Sequence, residues 1–119
     1  MERLRKRADF LMVARGSRIP TTSFVLQALD RGDGGPIRVG FTISRKVGTA
    51  VERNRVRRRL KDVVRLAIRA GLPRGHDYVL VGRRAALSAA FPDLAADYDR
   101  AITRIHTMRR KPSPMQVNP

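Results

Sequence analysis

Apolar residues recur with the period of an α-helix in the middle of the chain. Between Thr49 and Gly71, the recurring apolar positions are Val56, Leu60, Val63, Val64 and Ala67. At about 100° per residue they share one side of a helix, which we expect to pack on a core. Thr49 and Glu52 fit a capping box at the helix start, and Gly71 followed by Pro73 fits its end.

Three shorter segments have patterns typical of β-strands. Ser23–Leu29 is apolar on both faces apart from Gln27, so we expect both faces to be covered. Ile37–Ser44 alternates between apolar and polar residues, which predicts one buried and one polar face. The glycine-rich residues 31–36 predict a hairpin turn between these two strands. Asp77–Arg83 is mostly apolar and predicts a central strand.

Two further helices are predicted at the ends of the chain. Ala8–Arg15 places Phe10, Val13 and Ala14 on one face. Pro92–Met108 has an apolar stripe formed by Leu94, Tyr98, Ala101, Ile102, Ile105 and Met108. The order is α-β-β-α-β-α, with a possible short strand within residues 18–22. We expect one domain over residues 1–111, in which residues 1–7 form a mobile basic arm, followed by a disordered tail at 112–119.

The net charge of +16 in 119 residues indicates that the protein binds a polyanion. Such self-repulsion is tolerated best when a polyanion neutralises it, so nucleic acid is the first candidate and an anionic membrane the second. The absence of cysteine excludes a disulfide framework and a thiolate zinc site. No apolar run approaches the ~20 residues of a membrane span, and residues 10–14 are too short for a secretory signal. We expect a soluble cytoplasmic protein, with a basic transit peptide as a minor alternative.

Ten of the 26 basic residues lie between Arg45 and Arg69. Opposite the apolar side, the predicted helix carries Asn54, Arg58, Lys61, Arg65 and Arg69, with Arg55 at the edge. A solvated charged face normally mixes signs, but no acid lies between Arg53 and Lys61. Because arginine suits bidentate phosphate contacts, this face predicts phosphate binding.

The same sequence offers little for catalysis by the protein. His76 and His106 lack ligand spacing, and Asp93 and Asp97 are better explained by the start of a helix than by Mg²⁺. We therefore expect no catalytic residue and no metal site in the protein. Nothing indicates a helix-turn-helix, zinc finger or zipper. A cationic helix beside the polar face of a sheet favours single-stranded RNA, although only six aromatic residues are available for stacking.

Residues 40–59, GFTISRKVGTAVERNRVRRR, closely resemble the signature of the bacterial ribonuclease P protein component. The resemblance begins near Asp9 and Phe10 and continues through Asp77 and Tyr78 into the last helix. It implies an α/β two-layer sandwich in the order α-β-β-β-α-β-α, with a four-stranded sheet and a left-handed crossover. It also implies that an RNA subunit hydrolyses precursor tRNA with Mg²⁺ and releases the 5′ leader.

The resemblance, together with the cationic helix face and the polar face of the sheet, predicts two sets of binding residues. The predicted contacts to the RNA subunit are Arg45, Lys46, Arg53, Asn54, Arg55, Arg58, Lys61 and Arg65. The predicted contacts to the single-stranded leader, in a cleft between the first helix and the sheet, are Phe10, Gln27, Arg38 and Thr42. Ala14 and Gln27 stand where family members often carry aromatics, which moves the stacking role to Phe10. No membrane, protein partner or tightly bound cofactor is required.

Two alternatives remain open at this stage. A ribosomal or rRNA-binding protein would share the cationic helix but would not assist cleavage. A protein-only nuclease would cleave RNA without an RNA subunit, and the sequence offers it no metal site.

Overall fold

The structure, a computed structural model, describes residues 2–67 and 72–108. Its strands are β1 (Glu2–Arg3), β2 (Ser17–Pro20), β3 (Phe24–Asp30), β4 (Arg38–Thr42) and β5 (His76–Gly82). Its α-helices are α1 (Arg7–Ala14), α2 (Ala50–Ala67) and α3 (Phe91–Met108), and short 3₁₀ turns occupy Arg45–Val47 and Arg84–Leu87. The predicted mixed α/β class is confirmed, and the predicted elements start or end within a few residues of those observed.

The basic helix begins at the predicted capping box. The backbone N–H of Thr49 donates to Glu52 Oε1 at 2.9 Å, and the N–H of Glu52 donates to Thr49 Oγ1 at 3.2 Å. These two bonds satisfy backbone donors that a helix start leaves free. The predicted apolar side is buried at Val56, Leu60, Val63 and Val64. The predicted end at Gly71, the cation Arg69 and the tail 112–119 lie outside the described residues.

The sheet has the strand order β1-β4-β5-β3-β2. β5 pairs parallel with β4 and antiparallel with β3, so its predicted central position is confirmed. The predicted hairpin of β3 and β4 is wrong, because β5 lies between them. Turn residues mark a reversal of the chain but do not determine which strand pairs with which. The optional short strand exists as β2, and it forms a hairpin with β3 instead.

The loop between β3 and β4 passes over the start of β5. The backbone N–H of Arg31 donates to the carbonyl of Gly75 at 2.8 Å, and that of Gly75 donates to the carbonyl of Gly35 at 2.9 Å. These bonds hold the glycine-rich segment across the end of the central strand. Because β4 and β5 are parallel, α2 forms a crossover between them, and its left-handedness stays a prediction.

Helices cover both faces of the sheet, so the predicted two-layer arrangement is wrong. On one face, α2 and α3 pack on alternate strand residues such as Phe24, Leu26 and Leu80. On the other, α1 packs Val13 against a smaller cluster that includes Val79. The reason is the pattern of β3 and β5, which are apolar on both faces and need cover on both.

The predicted four-stranded sheet has a fifth strand in the structure. Residues 2–3, assigned to a mobile arm, pair parallel with β4, and the N–H of Leu4 donates to the carbonyl of Val39 at 2.9 Å. Leu4 is buried against α1, which explains why the charged segment is held down. Two paired residues are too few to leave a periodic signal in the sequence. None of the helices in the described ranges is long and apolar enough to span a membrane.

Candidate nucleic-acid interface

The outer face of α2 presents cations to solvent. Asn54, Arg55, Arg58 and Arg65 are exposed, and Lys61 is half-buried. Across residues 2–67 and 72–108, Arg55, Arg58 and Lys61 have no side-chain hydrogen bond or ion pair. Burial of the opposite side in the core fixes the direction of this face. The three side chains are therefore available to an external anion.

The remaining predicted contacts on this surface differ in availability. Arg45 and Lys46 are exposed on the 3₁₀ turn before α2, held in place by buried Val47. Arg53 Nη1 donates to the carbonyl of Gly48 at 2.8 Å, and Arg65 pairs with Asp62 at 2.8 Å. Because both arginines already have partners within the chain, fewer of their N–H groups are available to a phosphate.

Phe10 on α1 lies directly on Gly40 of β4. A Cβ atom at Gly40 would lie 2.6 Å from two carbons of the Phe10 ring, so only glycine permits this approach. The ring is only partly buried and also packs on the cluster formed by Leu4, Val13 and Val79. Phe10 therefore contributes to the core and keeps a surface for an external ligand.

The other predicted leader contacts share this face of the sheet. Gln27 and Gly40 are both registered with Val79, which places them in one row across three strands. Thr42 follows two residues further along β4 and is exposed. Residues 10, 27, 38 and 42 thus lie on the α1 side, as the predicted cleft requires, although their roles stay predictions.

Arg38 is held by a buried carboxylate that the sequence reasoning missed. Its Nη2 lies 2.6 Å from Asp77 Oδ2, and its Nη1 lies 3.5 Å from Asp9 on α1. Arg31 also pairs with Asp77, at 2.5 Å. Burial raises the pKa of Asp77, but hydrogen bonds from Arg38 and Arg31 outweigh it and hold the pKa below its usual value. Only the register that aligns Arg38 with Asp77 could have indicated this pair.

The two histidines, far apart in sequence, meet in the fold. The Tyr78 hydroxyl and His106 Nε2 are 2.8 Å apart, and the rings of His76 and His106 are 5.4 Å apart edge to face. His76 Nδ1 lies 2.8 Å from the carbonyl of Arg74. In the part of the chain that the structure describes, no three histidine or carboxylate side chains cluster as metal ligands would.

The two predicted surfaces meet at one open cavity. Phe10 and Gly40 line it from the cleft, and Arg57 and Lys61 line it from α2. Arg3 and Arg5 complete its cationic rim. Lys61, predicted to contact the RNA subunit, therefore also borders the cleft predicted for the leader. A single strand could pass from the aromatic ring to the cationic helix without leaving the protein surface.

An exposed cationic helix beside a partly aromatic cleft on a mixed α/β sheet defines a small RNA-binding protein. A sequence profile described as Ribonuclease P matches residues 1–106. The chain belongs to the ribonuclease P protein component family.

Relatives and solved structures agree with this family. The chain is 48% identical over 103 residues to the ribonuclease P protein component of Gluconacetobacter diazotrophicus, covering 86% of this chain and 89% of that protein. It is 48% identical over 107 residues to that of Ruegeria pomeroyi, covering 87% and 85%. The RNase P protein from Thermotoga maritima matches with a TM-score of 0.73 at 27% identity, over 87% of this chain and 97% of that one. These findings do not favour the ribosomal alternative.

Proposed function

We propose that this chain assists a catalytic RNA subunit in removing the 5′ leader of precursor tRNA. In this proposal α2 and the preceding turn bind the RNA subunit, and the cleft beside Phe10 binds the leader. The protein needs no membrane and no protein partner, and it acts in the cytoplasm. Support comes from family membership and from the placement of the two predicted surfaces.

The observation that carries the proposal is the set of cations on α2 without partners in the described chain. Arg55, Arg58 and Lys61 project from a helix whose other side is fixed by Val56 and Leu60 in the core. A rigid cationic row loses little conformational freedom on binding and matches the regular charge of a phosphate backbone. RNA is therefore the partner that best explains this face.

The chemical groups on the two predicted surfaces indicate which task belongs to the protein. The predicted surfaces offer guanidinium, ammonium, amide and aromatic groups, which bind and position RNA. We infer that hydrolysis, with its Mg²⁺, belongs to the RNA subunit. The protein would increase affinity for the precursor by holding the leader, because mature tRNA lacks it.

Reconstitution with the RNA subunit tests this function. Cleavage of precursor tRNA would be followed at low Mg²⁺ with the RNA subunit alone, the protein alone and both together. We expect cleavage at the leader junction to be fastest with both and undetectable with the protein alone. Cleavage by the protein alone would support the protein-only nuclease, and no stimulation by the protein would overturn the proposal.

A further inference from the structure

A second cavity lies at the start of α2, on the side away from Phe10. The N-terminal turn of α2 and the 3₁₀ turn Arg84–Leu87 form its walls, and its volume is about 580 Å³. Its lining residues are Val51, Glu52, Arg55, Arg84, Ala85, Leu87 and Ser88. This volume lies within the range of ~300–1,000 Å³ typical of small-ligand pockets.

The floor of this cavity is apolar and open to solvent. Val51 is 75% exposed in the first turn of α2, whose buried side carries Val56, Leu60, Val63 and Val64. Ala85 and half-buried Leu87 face the same space. A flat apolar group placed here would gain contact with all three side chains without displacing any core residue.

The charged side chains around this floor carry a net positive charge. Arg55 has no partner within the described residues, whereas Arg84 Nη1 donates to the carbonyl of Val47 at 2.7 Å. Glu52 is the one acid in the lining, and it is already bound to the backbone of Thr49 and to Arg84. The Thr49 N–H and then Arg84 lower the pKa of Glu52, so it stays ionised and committed to them.

Crowding at Gly48 keeps this arrangement in place. A Cβ atom there would lie 2.2 Å from Glu52 Oε1 and 2.8 Å from Arg84 Nη1. Only the absence of a side chain at Gly48 lets both groups fold over the turn. The guanidinium of Arg84 is thereby held at the rim of the cavity, next to Arg55.

We propose that this cavity binds one unpaired nucleotide of the RNA subunit. Its base lies against Val51, Ala85 and Leu87, and its phosphate pairs with Arg55 at the rim, with Arg84 beside it. The combination of an apolar floor and a cationic rim matches a nucleotide better than an apolar protein segment, which would leave Arg55 unpaired. The site is continuous with the cationic face of α2 through Arg55, and it rests on the proposed binding of the RNA subunit.

Val51→Ser tests the apolar floor, and Leu66→Ser is its matched control. Both residues are exposed and apolar on α2, at 75% and 53%, and both changes leave the net charge unaltered. We expect Val51→Ser to weaken binding to the isolated RNA subunit about fivefold without changing the salt dependence, because it removes apolar contact alone. Leu66→Ser should stay within about twofold of the parent, as surface substitutions usually do.

Further variants separate this inference from the proposed function. Arg58→Ala should weaken the same binding with a smaller salt slope, and its failure to do so would count against the proposed function itself. If Arg58→Ala weakens binding while Val51→Ser and Leu66→Ser behave alike, the cavity site is wrong and the proposed function stands. A photoreactive amino acid at 51 should crosslink an unpaired nucleotide of the RNA subunit, and one at 66 should not. Crosslinking of neither, or of a protein instead, would overturn the assignment.

Discussion

Arg58 on α2 and Arg38 on β4 are the same residue type in opposite circumstances. Arg58 is exposed and has no partner in the described chain, whereas Arg38 is bound to Asp77, a residue only 1% exposed. Charge counting treats both as part of the net +16. The difference shows that this protein holds two populations of arginine: one without a partner in the described chain, and one already engaged in linking its own strands.

The largest expected effect concerns the second population. Asp77→Asn should destabilise the protein by about 3 kcal/mol, because it leaves Arg31 and Arg38 without their buried anion. Asp62→Asn removes an ion pair whose side chains are 73% and 50% exposed, and it should cost less than ~1 kcal/mol. Urea denaturation of both variants measures the difference, and equal losses would remove the distinction between the two populations.

The pH dependence of stability tests whether the charge of Asp77 is what stabilises the protein. The folded-state pKa of Asp77 lies below its ordinary value of 3.8, so its contribution is present above that value and lost as pH falls through the folded pKa. The stability gap between parent and Asp77→Asn should therefore be full near neutral pH and narrow below about pH 4. Denaturation at several pH values checks this, and a constant gap would show that the carboxylate charge is not the cause.

Substitution of the exposed arginines of α2 should change RNA binding and not the stability of the fold. Arg55→Ala and Arg58→Ala should each weaken RNA-subunit affinity about tenfold and reduce the log–log salt slope by ~0.7–0.9, because each would lose its proposed phosphate contact. The control is Arg104→Ala, which removes an exposed positive charge from α3. Titrations at several salt concentrations measure the slopes. An Arg104 variant that behaves like the other two would mean that total charge matters and position does not.

A smaller effect is expected at the cleft. Phe10→Ala should weaken precursor tRNA binding by the preassembled holoenzyme by ~1 kcal/mol and leave mature tRNA unaffected, because the proposal places the ring against a leader base. Phe10→Leu keeps apolar packing on Gly40 but removes the ring, so it should show the same binding loss with a smaller loss of stability. If Phe10→Leu binds precursor normally, the ring serves the core and not the leader.

The smallest effect is expected away from both surfaces. Asp93 is exposed in the first turn of α3. A carboxylate at this position stabilises the helix by ~0.3–1 kcal/mol through its interaction with the helix dipole. Asp93→Ala should leave the cleavage rate at saturating subunit and precursor within about twofold of the parent. Single-turnover assays measure it. A hundredfold loss in a folded variant would place protein groups in the active site.

What could be predicted from sequence followed from local periodicity. The buried side of α2, its capping box and the stripe from Leu94 to Ile105 depend on residues within a few turns of one another. The cationic face follows directly, because the side opposite a buried stripe must be exposed. The helix, its cap and the exposure of its cationic face were predicted well for that reason, and the RNA contacts assigned to that face stay predictions.

What was missed depended on contacts between distant segments. The ion pair of Arg38 with Asp77 requires the register of two parallel strands, and the meeting of His76 with His106 requires the end of α3 to reach the start of β5. The wrong hairpin has the same origin, since residues 31–36 reverse the chain without indicating that β5 inserts between its neighbours. Local pattern carries no information on such pairing.

The central position of β5 has a consequence for the order in which the chain can fold. β3 and β4 are complete by residue 42, yet neither pairs with the other, and their shared partner arrives only with His76–Gly82. Until then both strands keep an open edge and α2 has no complete sheet to cover. Closing the sheet joins segments tens of residues apart, which slows folding relative to local hairpins. A nascent chain that ends before His76 therefore carries most of its cations but no finished sheet to hold them.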